Sequence, residues 1–210
     1  MTENAARDEM ARLGETLYSR GLAHGSTGNI SLRVGDEILI TPTNTCMGTL
    51  DPSRISKIAL DGTLLSGDPP SKEAFLHLAV YEQRPADQAI VHLHSTHSVG
   101  VSCLADVDPS NPLPPLTAYY VMKIGRLALV PYFRPGDRAL ADAVARKARD
   151  HHALLLANHG PVVSGRSLDS AAYAMEELEE TAKLYFLLRG HETRMLTDKQ
   201  LMELRNHFPS

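Results

Sequence analysis

The chain has 210 residues, 43% hydrophobic and 22% charged, a length and balance that fit one folded domain (1–210) with its own core. A formal net charge of −4 argues against a binder that tracks nucleic-acid phosphates through a basic face. No apolar run approaches the roughly 20 residues needed to span a membrane. The charged stretch Met1–Glu15 lacks a signal-peptide core, and Cys46 and Cys103 are too few for a disulfide framework, so a reducing, cytoplasmic setting is expected.

Residues 3–20 place Ala6, Met10, Leu13 and Leu17 on one helix face, ended by Gly21. Ile30, Leu32 and Val34 alternate, Gly35-Asp36 supplies a two-residue turn, and Ile38 and Ile40 resume the alternation, which reads as a hairpin. A loop with Pro42, Asn44 and Gly48 leads to a second strand pair around Ser56–Leu65. Ser71 is the expected N-cap of a helix running to about Arg84. Ala89–Leu93 reads as a strand, Ser95 to Ala105 as a helix, and 106–118, with its prolines, as an ordered loop. Leu127–Val130 and Ala153–Ala157 are apolar runs of strand length, separated by a helix at about 136–150. A long helix at about 168–189 stops at Gly190. Interleaved strands and helices predict an α/β layered domain with helices covering a sheet.

Ten histidines is the one unusual count, and their placement decides their meaning. In Val91-His92-Leu93-His94 the alternation of a strand puts His92 and His94 on one face, about 7 Å apart along it. Zinc in catalytic sites takes three protein ligands and keeps a fourth position open. His159, at the end of an apolar strand and beside Gly160, is the third candidate ligand. His97 competes for that place and is ranked lower, as a possible support to the ligands. The other histidines are assigned nothing. Glu73, near the start of its helix, either complements the helix dipole or, beside a metal, is a ligand, a proton shuttle or both.

Five motifs in order resemble the class II aldolase family, which includes fuculose and rhamnulose phosphate aldolases and ribulose phosphate epimerases. They are Ser26-Thr27-Gly28-Asn29-Ile30-Ser31, Thr41-Pro42-Thr43, Ser71-Lys72-Glu73, His92-Leu93-His94-Ser95-Thr96-His97 and Asn158-His159-Gly160. The resemblance runs from about Met10 to Phe208. It implies a three-layer α/β/α fold around a mostly antiparallel sheet. It also implies zinc held by His92, His94 and His159, with Glu73 as acid/base that can approach the metal; manganese or cobalt would suit the same imidazoles. A homotetramer with sites near subunit interfaces is implied too, with a tyrosine from a neighbouring subunit as proton donor. Tyr119 is preferred over Tyr120 for that role by its spacing to Gly125. Thr27, Gly28, Asn29, Thr43, Asn44 and Ser71 are expected to cradle a phosphate.

Ser-Lys-Glu departs from the Ser-Ser-Glu of the fuculose type. Together with VHLHSTHSVGVSCL it looks most like the branch that decarboxylates 3-oxo-tetronate 4-phosphate to dihydroxyacetone phosphate and carbon dioxide through a metal-bound enediolate. Lys72 is expected to bind one of that substrate's two anionic ends. The alternatives are aldol cleavage or 4-epimerisation of a sugar phosphate, and more remotely a methylthioribulose phosphate dehydratase. Adducin-like head domains, which keep the fold as interaction modules without the metal, are a different class. The three histidines and Glu73 favour the enzyme.

Overall fold

The computed structural model describes residues 1–134 and 136–208. Its first helix, α1 (Glu3–Ser19), starts where the Thr2 hydroxyl accepts from the Ala5 N–H, and it buries Ala6, Met10 and Leu17. The hairpin of β1 (Asn29–Val34) and β2 (Glu37–Ile40) turns at Gly35, whose φ of 63° is left-handed. Two short strands follow, β3 (Ser56–Ala59) and β4 (Leu64–Ser66). Next come α2 (Ala74–Gln83), β5 (Ala89–His92), α3 (Thr96–Ser102), α4 (Ala118–Lys123) and β6 (Leu127–Val130). The chain continues through α5 (Ala139–Ala148), β7 (Ala153–Leu156), β8 (Gly160–Gly165), α6 (Leu168–Leu188) and α7 (Asp198–His207).

The eight strands form one sheet in the order β4-β3-β2-β1-β5-β8-β7-β6, antiparallel except for the parallel pair β6/β7. Alternation within each strand sends side chains to two separate cores. Ile30, Leu32, Ala89 and Val91 pack with α1, α3, α4 and α6, while Ile38, Ile90, Leu154 and Leu156 pack with α2 and α5. The expected three layers around a mostly antiparallel sheet are therefore present. Among the described residues no helix is long and apolar enough to cross a membrane.

Several local expectations change. The helix after Ser71 begins at Ala74 with Glu73 at its N-cap position, and Ser71 lies in a preceding turn, where its hydroxyl accepts from the Glu73 N–H. Ser71 is therefore not the cap, because its oxygen meets an amide ahead of the first helical residue. The strand through the HxH stretch ends at His92, so His94 lies beyond it. β8 escapes the sequence reading because Gly160, Pro161 and Gly165 break its pattern, and α4 because Thr117 caps a helix of only six residues. α7 is started by a capping box between Thr197 and Gln200, and it packs only Leu201 and Leu204, both partly buried, against the core, which leaves a weak signal in the sequence.

One long-range contact ties α6 to the segment bearing the histidines. The Glu179 carboxylate, 5% exposed, accepts from the His97 and Ser98 backbone N–H groups, the Ser98 hydroxyl and His97 Nδ1 at the start of α3, all at 2.7–2.9 Å. His97 is thus engaged with Glu179 and lies outside the histidine cluster. Burial opposes the ionised form of Glu179, but the Ser98 and His97 donors outweigh it and hold the carboxyl below its ordinary range. Glu179→Gln is expected to cost about 2–3 kcal/mol, the value of hydrogen bonds to a charged group, read as a lower urea midpoint at neutral pH. A depressed folded pKa gives stability that is present above the unfolded carboxylate range and is lost as pH falls through the folded value. The gap between wild type and variant should therefore close as pH drops below about 4.

Candidate metal centre

Three chain segments meet at one edge of β5. His92 ends the strand on the face toward α2, where Glu73 stands ahead of that helix. His94 follows as the chain leaves the sheet. His159 sits in the turn between β7 and β8, where the His159 N–H donates to the Leu156 carbonyl and Asn158 adopts φ 56°. Gly160 lets this turn approach β5: a Cβ there would lie 2.3 Å from the Leu93 carbonyl oxygen. Gly28 does the same from the other side, since its Cβ would lie 2.6 Å from the His92 carbonyl oxygen.

The ring centroids are 5.1 Å apart for His92/His94, 4.9 Å for His92/His159 and 4.7 Å for His94/His159. The first separation is shorter than strand spacing predicts because His94 is past the end of β5. One donor atom from each of the three rings and one from Glu73 all lie within 4.8 Å of one another. Glu73 reaches across both sides, Oε2 lying 3.3 Å from His92 Nε2 and Oε1 3.2 Å from His159 Nε2.

His92 gives the sharpest test of whether a cation fits. Its ring is fully buried, and Nδ1 donates to the Pro161 carbonyl at 2.8 Å. That fixes the proton on Nδ1 and leaves a lone pair on Nε2, which is buried without a hydrogen-bond partner and faces a carboxylate oxygen. Electron pair against electron pair is repulsive, and a cation held between them removes the repulsion. The backbone carbonyl behind the ring is the usual means of orienting a metal-ligating imidazole. Three imidazoles and a carboxylate suit a transition metal such as zinc better than calcium or magnesium.

Without a cation, a proton on His92 Nε2 can bridge to Glu73 in its place. Burial opposes ionised Glu73, yet the charges and hydrogen bonds of His92 and His159 prevail and hold it well below the carboxylate range. Burial opposes a proton on His92 as well, and Glu73 outweighs it, so the direction there is upward. For His94, burial together with His92 and His159 drives the pKa down to about 3, keeping the ring neutral.

The cluster opens onto a cleft of about 650 Å³. Thr27, Gly28, Asn29, Thr43, Asn44, Ser71, Lys72 and Glu73 all line it, so the loops expected from sequence come together there. The Thr43 N–H donates to the Pro69 carbonyl and the Ser71 N–H to the Thr41 carbonyl, around a bridge between Pro42 and Pro70, which locks two of those loops to each other. Asn29 departs from its expected role. Both of its amide hydrogens are engaged, by Glu73 Oε2 at 2.8 Å and Ser71 Oγ at 3.1 Å, leaving no side-chain hydrogen for an anion. Sequence reasoning missed His24, Asn158, Tyr132 and Phe133, which also line the cleft; only Asn158, inside a quoted motif, carried a signal. Tyr119 does not reach this cleft from its own chain: it is 64% exposed at the start of α4. Tyr120 is 2% exposed, its hydroxyl directed at the Leu113 carbonyl, and is unavailable to substrate.

The chain is 53% identical over 205 residues to a 3-oxo-tetronate 4-phosphate decarboxylase of Escherichia coli strain K12, covering 97% of each chain. The crystal structure of YgbL from Escherichia coli superposes with a TM-score of 0.95 at 52% identity, covering 97% of this chain and 99% of that one. An L-fuculose 1-phosphate aldolase structure matches with a TM-score of 0.85 at 27% identity over 97% of this chain and 96% of its own. Residues 8–186 match the family model described as the class II aldolase and adducin N-terminal domain. The chain belongs to the class II aldolase and adducin N-terminal domain family.

Proposed function

We propose that this protein is a metal-dependent carbon–carbon lyase that decarboxylates 3-oxo-tetronate 4-phosphate to dihydroxyacetone phosphate and carbon dioxide. The observation that carries the reading is 53% identity, over nearly the whole of both chains, to a decarboxylase of that name. His92, His94 and His159 would hold the cation, with Glu73 beside it. When bound, zinc (or manganese or cobalt in its place) supplies Lewis acidity toward the keto oxygen of the substrate.

The remaining work falls to the protein. The substrate is a β-keto acid: breaking C1–C2 releases carbon dioxide and leaves the electron pair at C2, delocalised toward the C3 oxygen. Gly28, Thr43, Asn44 and the free hydroxyl hydrogen of Ser71 hold the phosphate in the cleft, which Thr27 lines with its N–H and hydroxyl both donating to the His24 carbonyl. Lys72 lines the same cleft from an exposed position and neutralises one anionic end of the substrate. The single proton that C2 takes up comes from solvent through Glu73, ionised at rest and steadied by Asn29, or from Tyr119, exposed on α4, of a neighbouring copy within a homotetramer. The free cysteines Cys46 and Cys103 fit a reducing, cytoplasmic setting.

The D- and L-series 3-oxo-tetronate 4-phosphates, incubated with and without chelator, test the proposal. Carbon dioxide and dihydroxyacetone phosphate should appear with at least one series and cease when the metal is stripped. Aldol cleavage is the second reading, favoured by the fold shared with the L-fuculose 1-phosphate aldolase; release of an aldehyde from a sugar phosphate, without decarboxylation of either keto acid, would select it.

A further inference from the structure

A buried chain of polar side chains runs from the α2 face of β1 to Glu73, and from Ser31 onward its hydrogen bonds admit one sense only. Carboxylate oxygens only accept, so Asn29 presents its Nδ2 to Glu73 Oε2, with the second amide hydrogen on Ser71 Oγ. Its Oδ1 then faces His77 Nε2. Because Oδ1 cannot donate, Nε2 carries the ring proton. A neutral ring has a single N–H, so Nδ1 accepts, and the donor is the Ser31 hydroxyl at 2.7 Å. Ser31 in turn accepts from the Tyr81 phenol at 2.9 Å; the other acceptor within that phenol's reach, the Gln88 carbonyl, is farther at 3.3 Å. One hydrogen each from Ser31, His77 and Asn29 therefore points toward Glu73, with the nearer acceptor of the Tyr81 phenol, Ser31, at the head of the chain.

We propose that His77 is a positioning residue that fixes the orientation of the Asn29 amide and, through it, the Glu73 carboxylate at the metal cluster. The proposal rests on the reading that Glu73 serves that cluster. His77 and Ser31 are fully buried and Tyr81 is 1% exposed, so no water can substitute for a lost partner without rearrangement. With the proton on Nδ1 instead, a lone pair at Nε2 would face Oδ1. Flipping the amide to escape that clash would set Oδ1 against Glu73 Oε2, acceptor against acceptor. Burial, reinforced by His92, pushes the His77 pKa down to about 3, which agrees with a neutral ring carrying one proton. Apolar side chains would fill this space at lower desolvation cost, so stability alone does not call for five polar groups in a row. Chained donors of one sense also polarise each other, strengthening the final bond to the carboxylate.

Nitrogen-15 NMR of the His77 ring, in metal-free and zinc-loaded protein, is the direct test. The Nε2–H tautomer is expected in both, and a ring protonated on Nδ1 overturns the proposal. His77→Phe is expected to lower kcat about 10- to 100-fold with KM within about threefold, and to weaken zinc in chelator competition about tenfold, as loss of a group behind a metal site does. His77→Gln should recover most of both, since its amide can donate to Asn29 and accept from Ser31. The Asn29→Ala/His77→Phe double variant should lose no more than Asn29→Ala alone; losses that multiply would mean His77 acts by another route. Should His77→Phe fail to fold, Ser31→Ala removes only a hydroxyl and should shift kcat and zinc affinity in the same direction; wild-type values for both would sink the idea. The tautomer and zinc affinity need no substrate, so an enzyme silent toward the keto acid phosphates would remove the substrate assignment while these two measurements still decide the role of His77.

Discussion

His92→Ala is expected to leave a folded protein that neither retains stoichiometric metal nor turns over substrate, with kcat down by about 10³-fold or more, equivalent to roughly 4 kcal/mol of barrier. His92 is the fully buried member of the cluster, and its ring is pinned through Nδ1 to the Pro161 carbonyl, so its Nε2 lone pair has one fixed direction. Deleting the ring leaves His94 and His159 with Glu73. His97, closest in sequence, is held by Glu179, its ring tilted against that of Phe186. The fold should survive because β5 is anchored by ladders to β1 and β8 and by the buried Ala89, Ile90 and Val91. Metal analysis, circular dichroism and the decarboxylation assay on the same preparation separate the outcomes. Full metal content in the variant would strike His92 from the ligand set, whereas His97→Ala should keep its metal. A wild-type chain that carries no metal at all would place the protein with the interaction modules of its family.

The sequence displayed the floor of this site better than its walls. His92 and His159 could be singled out because a histidine at the end of an apolar strand interrupts a strong pattern, and pattern breaks are visible in one dimension. The resemblance to a family then supplied the pairing of those histidines with Glu73, which position alone left as a helix-dipole residue. Asn29 is the instructive failure. In one dimension Thr-Gly-Asn reads as a turn rich in donors for an anion, and nothing in that string reveals that the amide is already engaged by a carboxylate 44 residues away. His77 was invisible for a related reason: on a helix face it looks like any buried histidine, and its meaning lies in Ser31 and Asn29, which alternation along β1 directs to the same side of the sheet. β8 was lost because Gly160 and Pro161, which weaken a strand signal, are there for the approach to Leu93 and the bond to His92. Local rules fail in this chain where the site imposes its own demands.

Glu73→Gln should do something different from loss of a histidine: turnover collapses while the metal stays. A glutamine keeps the shape of the side chain but neither takes up nor releases a proton, so the general acid/base contribution disappears, about 10²- to 10⁴-fold in kcat. Its hydrogen-bond arrangement is also forced. Asn29 offers N–H to the Oε2 position, so the new amide must keep its oxygen there and place its NH₂ at the Oε1 position, facing His159. There it can donate to His159 Nε2, and a cation must break that bond to enter. Zinc affinity should therefore weaken by about tenfold, within the range set by groups supporting a metal site, and at saturating zinc the site should still fill. KM should change little, because the backbone N–H by which residue 73 holds the Ser71 hydroxyl is kept in the variant and Thr43 is tied to Pro69 instead. A variant that loses metal and activity together even at saturating zinc would make Glu73 a ligand first and a proton carrier second. One that keeps wild-type kcat would remove it from the chemistry and leave the proton at C2 to Tyr119 of a neighbouring copy.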